Sequence, residues 1–325
     1  MAELRWHPLI QDWVMIASHR QNRPQMPKDW CPFCPGSGKV PDHYTVLEYD
    51  NDFPALSQNP PEPDDVANDF FKVAPAYGKC EVILYSPNHT ITLPELPVSH
   101  IEELVDLWQE RFKAISADKK IKYVFIFENR GEAVGVTMPH PHGQIYGYSV
   151  LPKKICLEKE SAEQYYNKNR RCLFCDMREE EEKDGRRIIF KNDYFTVFLP
   201  FFCEYPYGVY IMPNRHIRYI TEFTPEEKTA FARTLKETAG TLDSLFDMKF
   251  PYMMCMHNAP VNCGTDEESY HFHVEFFPPM RSKDKIKFNA SSETGCWAHC
   301  NPTAPEAKAV ELREAHEKFL KTMKD

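Results

Sequence analysis

Gly135-Val-Thr-Met-Pro-His140-Pro-His142-Gly-Gln144 follows an apolar, β-rich run, Tyr123-Val-Phe-Ile-Phe127, and then Glu128-Asn-Arg-Gly131. A proline biases the residue before it toward extended backbone, so His140 is not expected in a helix. Read as strand, the segment is expected to turn His140 and His142 to opposite faces, His140 inward to a metal and His142 to a different environment. Gly143 removes bulk beside His142, and Gln144 adds amide donors close by. That combination suits a histidine nucleophile next to an amide that polarises a phosphate. A lone strand histidine is usually a core residue; the five-residue unit is a stronger signal.

Working outward, the 325 residues suffice for two ordinary domains or one large one. Hydrophobic residues make up 42%, and no window approaches eighteen uninterrupted apolar residues, so no membrane span is expected. The opening Met-Ala-Glu-Leu-Arg-Trp-His-Pro lacks the apolar core of a signal peptide, which makes the expected compartment cytoplasmic. A net charge of −9 argues against a dedicated nucleic-acid binder, and any anionic substrate must be held by local cations. Eleven cysteines, four of them in Cys-x-x-Cys pairs, favour metal binding over a disulfide framework in that compartment.

Trp30-Cys-Pro-Phe-Cys-Pro-Gly36 is a knuckle whose two thiolates suit one tetrahedral zinc. A redox pair is the alternative, but no helix-forming sequence follows to lower a thiol pKa. His89, at the end of Cys80-Glu-Val-Ile-Leu-Tyr-Ser-Pro-Asn-His89, and His140 complete a Cys₂His₂ set with Cys31 and Cys34. Ser99 is read as the N-cap of an amphipathic helix to Phe112, with Ile101, Leu104, Val105, Trp108 and Phe112 on its core face. Charged residues crowd Lys153–Arg171 and Glu179–Lys183, the best candidate boundary between halves. Beyond it the order of elements recurs. Cys172-Leu-Phe-Cys175 parallels Cys31-Pro-Phe-Cys34, and Gly208–His216 parallels Glu81–His89. Thr224-Pro-Glu-Glu227 opens a second helix with a capping box. His271-Phe-His-Val-Glu275 stands where His140-Pro-His-Gly-Gln144 stood. The expectation is an α+β fold made of two halves, 1–152 and 153–325, by internal duplication. Each half contributes strands, and the largely antiparallel sheets can join edge to edge beside flanking helices. Thr303–His316 is read as a capped terminal helix. Glu275 in place of Gln144 would repel a phosphate, so the second half is expected to be catalytically degenerate.

Phe127-Glu-Asn-Arg-Gly131 with His140-Pro-His-Gly-Gln144 resembles the active-site signature of the galactose-1-phosphate uridylyltransferase family, which belongs to the histidine-triad-like nucleotidyl transferases and hydrolases. Ser18-His-Arg-Gln-Asn-Arg-Pro24, Cys31-Pro-Phe-Cys34, Asn51-Asp-Phe53, Ser86–Pro94, His257-Asn-Ala-Pro260, Phe276-Phe-Pro-Pro279 and Ser292-Glu293 extend the likeness over nearly the whole chain. The resemblance implies histidine-triad-like halves and transfer of UMP between UDP-glucose and galactose 1-phosphate through a uridylylated His142, with Gln144 supporting the phosphoryl oxygens. It implies Arg20 and Arg23 at the phosphates, Asn51 and Asp52 at the nucleoside, Asn129 and Thr137 near the phosphates, and Glu293 at the hexose. A homodimer, with part of the sugar site from the partner subunit, is implied too. Zinc is expected at the first metal set, and zinc or iron at a second. For that second set, Cys172, Cys175, His216 and His271 repeat the first ligands. Some members instead use a glutamate and three histidines. The matching positions here are Glu158, His257, His273 and Glu275, a glutamate standing where the third histidine would be. The Cys₂His₂ arrangement is preferred because it needs no substitution. Rivals are an adenylyl-transferring phosphorylase or dinucleotide hydrolase of the same fold, and a non-enzymatic zinc module. Gly143-Gln144 and Ser292-Glu293 weigh against the first, and the acidic charge with the histidine unit against the second.

Overall fold

The computed structural model describes residues 2–22, 30–264 and 268–323. Its strands are β1 (Glu3–His7), β2 (Asp12–Ile16), β3 (Leu47–Asp50), β4 (Val73–Pro75), β5 (Gly78–Leu84), β6 (Tyr123–Arg130), β7 (His142–Tyr148), β8 (Ile188–Lys191), β9 (Phe195–Phe198), β10 (Tyr210–Pro213), β11 (Tyr252–His257) and β12 (His273–Phe277), with a small hairpin of β13 (Met280–Ser282) and β14 (Lys285–Ile286). The helices are α1 (Val98–Ser116), α2 (Lys153–Asn169), α3 (Leu173–Asp184), α4 (Pro225–Phe246), α5 (Ser291–Cys296) and α6 (Pro305–Leu320). The class is α+β.

One sheet of nine strands runs β3-β5-β7-β6-β11-β12-β10-β9-β8. Every pairing in it is antiparallel. The first four strands precede the charged stretch and the last five follow it, and they meet where β6 pairs with β11, Ile126 opposite Met256 and Arg130 opposite Tyr252. Around that seam β7 flanks β6 as β12 flanks β11, so the repeated motifs occupy corresponding strands on either side. The expected edge-to-edge union is what forms.

Side-chain alternation divides the labour of β6 and β7. Val124, Ile126 and Ile145 point into the main core against α1, whose Ile101, Leu104, Val105, Trp108 and Phe112 are all buried there. Burying each such side chain contributes about 1.5–3 kcal/mol, enough to explain why this stripe sets the helix orientation. The opposite face is covered differently in the two halves. A three-stranded sheet, β2-β1-β4, lies near Tyr146 and Phe127. In the second half α2 and α3 pack there, Ala162 and Phe174 meeting Phe198, Met212 and Tyr270.

Several local expectations need correction. The helix read from Ser99 starts at Val98 after Pro97, so Ser99 lies inside it and caps nothing; Pro97 supplies the extended lead-in instead. The terminal helix opens at Pro305 after Ala304 and has no side-chain cap, its proline at the first turn fixing φ. The capping box at Thr224 and Glu227 forms in full, with bonds of 3.2 and 2.8 Å. The two motif histidines do part company, but not by alternation, which would place residues two apart on one face. They diverge because the ladder of β7 begins at His142, leaving His140 outside it.

Candidate functional site

His142 opens β7, and its Nδ1 lies 2.7 Å from the carbonyl oxygen of His140. An N–H donated there fixes the tautomer and leaves Nε2 with its lone pair. Gly143 faces the helix side, where an added Cβ would collide with the Tyr85 hydroxyl and press on the Phe127 carbonyl. Any side chain at 143 would therefore push the strand start out of place. On the His142 side, Arg20, Phe127, Asn129, Thr137, Gln144 and Tyr146 join His142 around a cavity of about 220 Å³. The Tyr146 hydroxyl donates to Gln144 Oε1 at 3.1 Å, which leaves the amide's N–H groups for an acceptor in the cavity. One imidazole nitrogen, one amide, one guanidinium and Asn129 thus converge on a volume fit for a phosphoryl group. A second cavity of about 390 Å³ lies across the 131–141 segment and shares Asn129, Thr137 and His142 with the first.

The segment just upstream builds the first metal set. Cys31 Sγ is 3.6 Å and Cys34 Sγ 3.8 Å from His140 Nδ1, and Cys34 Sγ is 3.5 Å from His89 Nδ1. All four donor atoms lie within 4.8 Å of one another. His140 Nε2 donates to the Ser86 carbonyl at 2.8 Å, which turns Nδ1 toward the thiols, the outer-shell arrangement metal-bound histidines use. Burial pushes His140 down to about 4, so the ring is neutral and able to ligate. Burial and the neighbouring Cys31 push Cys34 up to about 11, a paired-thiol situation that a dication relieves. The donor set fits zinc.

In the second half the structure gathers both sets that sequence reading treated as alternatives, and they share no residue. Cys175 Sγ is 3.3 Å from His271 Nδ1 and 3.5 Å from His216 Nδ1, with Cys172 completing a set like the first. It fits a tetrahedral ion on the same grounds. His273 opens β12 as His142 opens β7, and its Nδ1 lies 3.0 Å from the carbonyl of His271, repeating the His142 arrangement. Its surroundings differ. Glu275 Oε2 is 2.5 Å from Lys154 Nζ and 3.4 Å from His257 Nε2; Oε1 is 2.5 Å from the Tyr210 hydroxyl and 3.5 Å from His273 Nε2. Glu158 Oε2 accepts from Tyr270 at 2.6 Å and faces His257 Nδ1 at 3.0 Å. Both His257 ring nitrogens are thus engaged by carboxylates; the quartet's donor atoms lie within 4.8 Å of one another as those of the cysteine sets do, but unlike them it has an ammonium, Lys154 Nζ, against one of its donors. His273, His257 and Glu275 are all buried.

The remaining predicted residues are scattered. Arg23 lies outside the described residues. Asn51 and Asp52 follow β3, with Asn51 Oδ1 accepting from Phe53 N at 2.9 Å and Asp52 Oδ1 from the Tyr49 hydroxyl at 3.0 Å. Neither is among the residues lining the cavities at His142. Nor is Glu293, which caps α5 through Ala290 N and lies 3.3 Å from Lys287. Sequence reading missed Tyr146, which period-two spacing from His142 and Gln144 would have placed on the same face. It also missed Lys154, four residues before Glu158 on α2.

Family profiles match the chain in two pieces: galactose-1-phosphate uridyl transferase N-terminal domain over residues 1–152, and its C-terminal domain over 158–314. A galactose-1-phosphate uridylyltransferase of Thermotoga maritima is 41% identical over 97% of this chain and 98% of its own. A solved uridylyltransferase structure is 32% identical, covers 98% of this chain and 99% of its own, and superposes with a TM-score of 0.90. An ADP-glucose phosphorylase of Arabidopsis thaliana, 22% identical over 97% of this chain and 98% of its own with a TM-score of 0.74, shares the fold.

Proposed function

This chain belongs to the galactose-1-phosphate uridylyltransferase family, and from that premise we propose that it exchanges UMP between UDP-glucose and galactose 1-phosphate through a covalent uridylyl-His142. It is a nucleotidyltransferase moving UMP between sugar phosphates. UDP-glucose enters with its diphosphate against Arg20, and Arg23 is assigned to the same phosphates. His142 Nε2 attacks the α-phosphorus, a P–N bond forms, the P–O bond to glucose 1-phosphate breaks, and that product leaves. Galactose 1-phosphate then attacks through a phosphate oxygen, and His142 departs with its lone pair restored. The observation that carries this reading is the 2.7 Å contact of His142 Nδ1 with the His140 carbonyl. In the neutral ring an N–H donated there selects the tautomer whose lone pair is on Nε2 and fixes the ring's orientation, as an imidazole nucleophile requires. Gln144 supplies N–H donors to the non-bridging oxygens, and Asn129 and Thr137 border the same volume. Asn51 and Asp52 are assigned to the nucleoside.

Residues 1–152 form the catalytic half, and 153–325 the degenerate one. Zinc at Cys31, Cys34, His89 and His140 would hold the residue whose carbonyl orients the nucleophile, which ties metal binding to ring placement. Zinc or iron at Cys172, Cys175, His216 and His271 would brace the second half. Glu293 contributes to the hexose site in a homodimer, one protomer completing the other's sugar pocket. The described residues include no helix long and apolar enough to cross a membrane, and the setting we assign is cytoplasmic. UDP-glucose labelled at the α-phosphorus tests the mechanism: label retained on His142, stable to base and lost in acid, supports it. Transfer with no protein-bound label under single-turnover conditions refutes it.

A further inference from the structure

We propose that Lys154 serves as the resident cation of the Glu158–His257–His273–Glu275 set. The set lies at the second half's counterpart of the reaction site: His273 matches His142 in its strand position and in its contact with the preceding histidine's carbonyl, 3.0 against 2.7 Å. Glu275 takes the place of Gln144. A carboxylate so placed, with side-chain exposure of only 2%, cannot stand without a positive partner. Lys154, its own side chain 52% exposed, brings one in from the surface, 2.5 Å from Glu275 and 3.9 Å from Glu158. Because Lys154 and Glu158 sit one turn apart on α2, one helix delivers both an acid and the counter-charge.

The other polar atoms are accounted for as well. Tyr210 donates to Glu275 and Tyr270 to Glu158, at 2.5 and 2.6 Å. His257 faces one carboxylate with each ring nitrogen, at 3.0 and 3.4 Å. None of the four side chains contributes to the buried polar atoms left without a partner. A dication entering here would have to displace the Lys154 ammonium from Glu275. The ammonium instead sets one positive charge beside the two carboxylates and pins α2 across the strand that, in the first half, is open to a cavity. The consequence is functional: the second half has exchanged a reaction site for a lysine-locked buttress of the shared sheet.

The inference rests on the ion assignment above only for the expected total of bound metal. Elemental analysis of the full-length protein would compare wild type with Glu158→Gln/His257→Asn. The expected result is the same metal content in both; loss of one ion per chain in the variant would overturn the proposal. Cys172→Ser, measured alongside, reports separately on the cysteine set, because its result changes the total and leaves that comparison intact. A second measurement guards against misfolding of the double variant. Lys154→Met is expected to lower Tm by roughly 2–4 °C, with Lys154→Arg recovering most of the loss, in buffer with or without a chelator. A Lys154→Met protein as stable as wild type would overturn the proposal equally.

Discussion

Gln144→Glu is the most informative single change at the nucleophile. The side chain keeps its length and shape, and its backbone stays paired with Val82 of β5 and Phe127 of β6. The carboxylate can still accept the Tyr146 hydroxyl that now bonds to Gln144 Oε1 at 3.1 Å, so the fold and the ring of His142 are expected to stay as they are. What disappears is the pair of N–H donors, and what appears is an anion beside the phosphoryl oxygens. Losing one donor of this type costs about 10²- to 10³-fold in rate. A like charge about 4 Å away adds about 1 kcal/mol in a water-like medium and about 4 kcal/mol at the effective dielectric of a protein surface. The expected loss in the first half-reaction is therefore at least roughly 10²-fold, with Gln144→Glu worse than Gln144→Ala because only the former adds repulsion. Rapid-quench measurement of glucose 1-phosphate release in a single turnover reads it directly, with metal content and Tm as controls. A Gln144→Glu half-reaction as fast as wild type would refute the donor role, and with it the proposed reason for assigning no reaction to the second half.

His142→Gly should abolish overall transfer, because removal of a covalent nucleophile costs many powers of ten; turnover near wild type would sink the mechanism. Cys172→Ser should remove one metal ion per chain while leaving the ion at Cys31 and Cys34, as elemental analysis would report. Burial pushes Glu128 up from 4.5 to about 7. The folded state then holds a proton that the unfolded state has released, so this group's contribution is fully present below pH 4.5 and lost as pH rises toward 7. Glu128→Gln, which cannot ionise, should gain stability relative to wild type across that window, by up to about 3 kcal/mol. Urea melts at a series of pH values check this, and a difference that stays flat with pH would refute it.

Much of this fold is legible in the amino-acid sequence alone. The α1 stripe from Ile101 to Phe112, the Thr224–Glu227 box and the apolar β-rich run of β6 are local signals, and local physics decides them: helical spacing fixes which face of α1 is apolar, and a cap needs only residues three apart. The two Cys-x-x-Cys pairs and the repeated histidine motifs announce two related halves in the same way. Other features depend on contacts between residues far apart in the chain. Whether His140 and His142 diverge rests on where β7 enters its ladder with β5 and β6, which no pattern within the motif encodes. The second-half metal question reads in the sequence as a choice between two ligand sets; the fold assembles both, and the approach of α2, bringing Lys154 to Glu275 across 121 residues, is a difference between them that only the tertiary structure shows. Chain composition limits which side chains are available to meet, but which charge stands against the buried Glu275 is decided in three dimensions, where distance rather than sequence separation sets the energy.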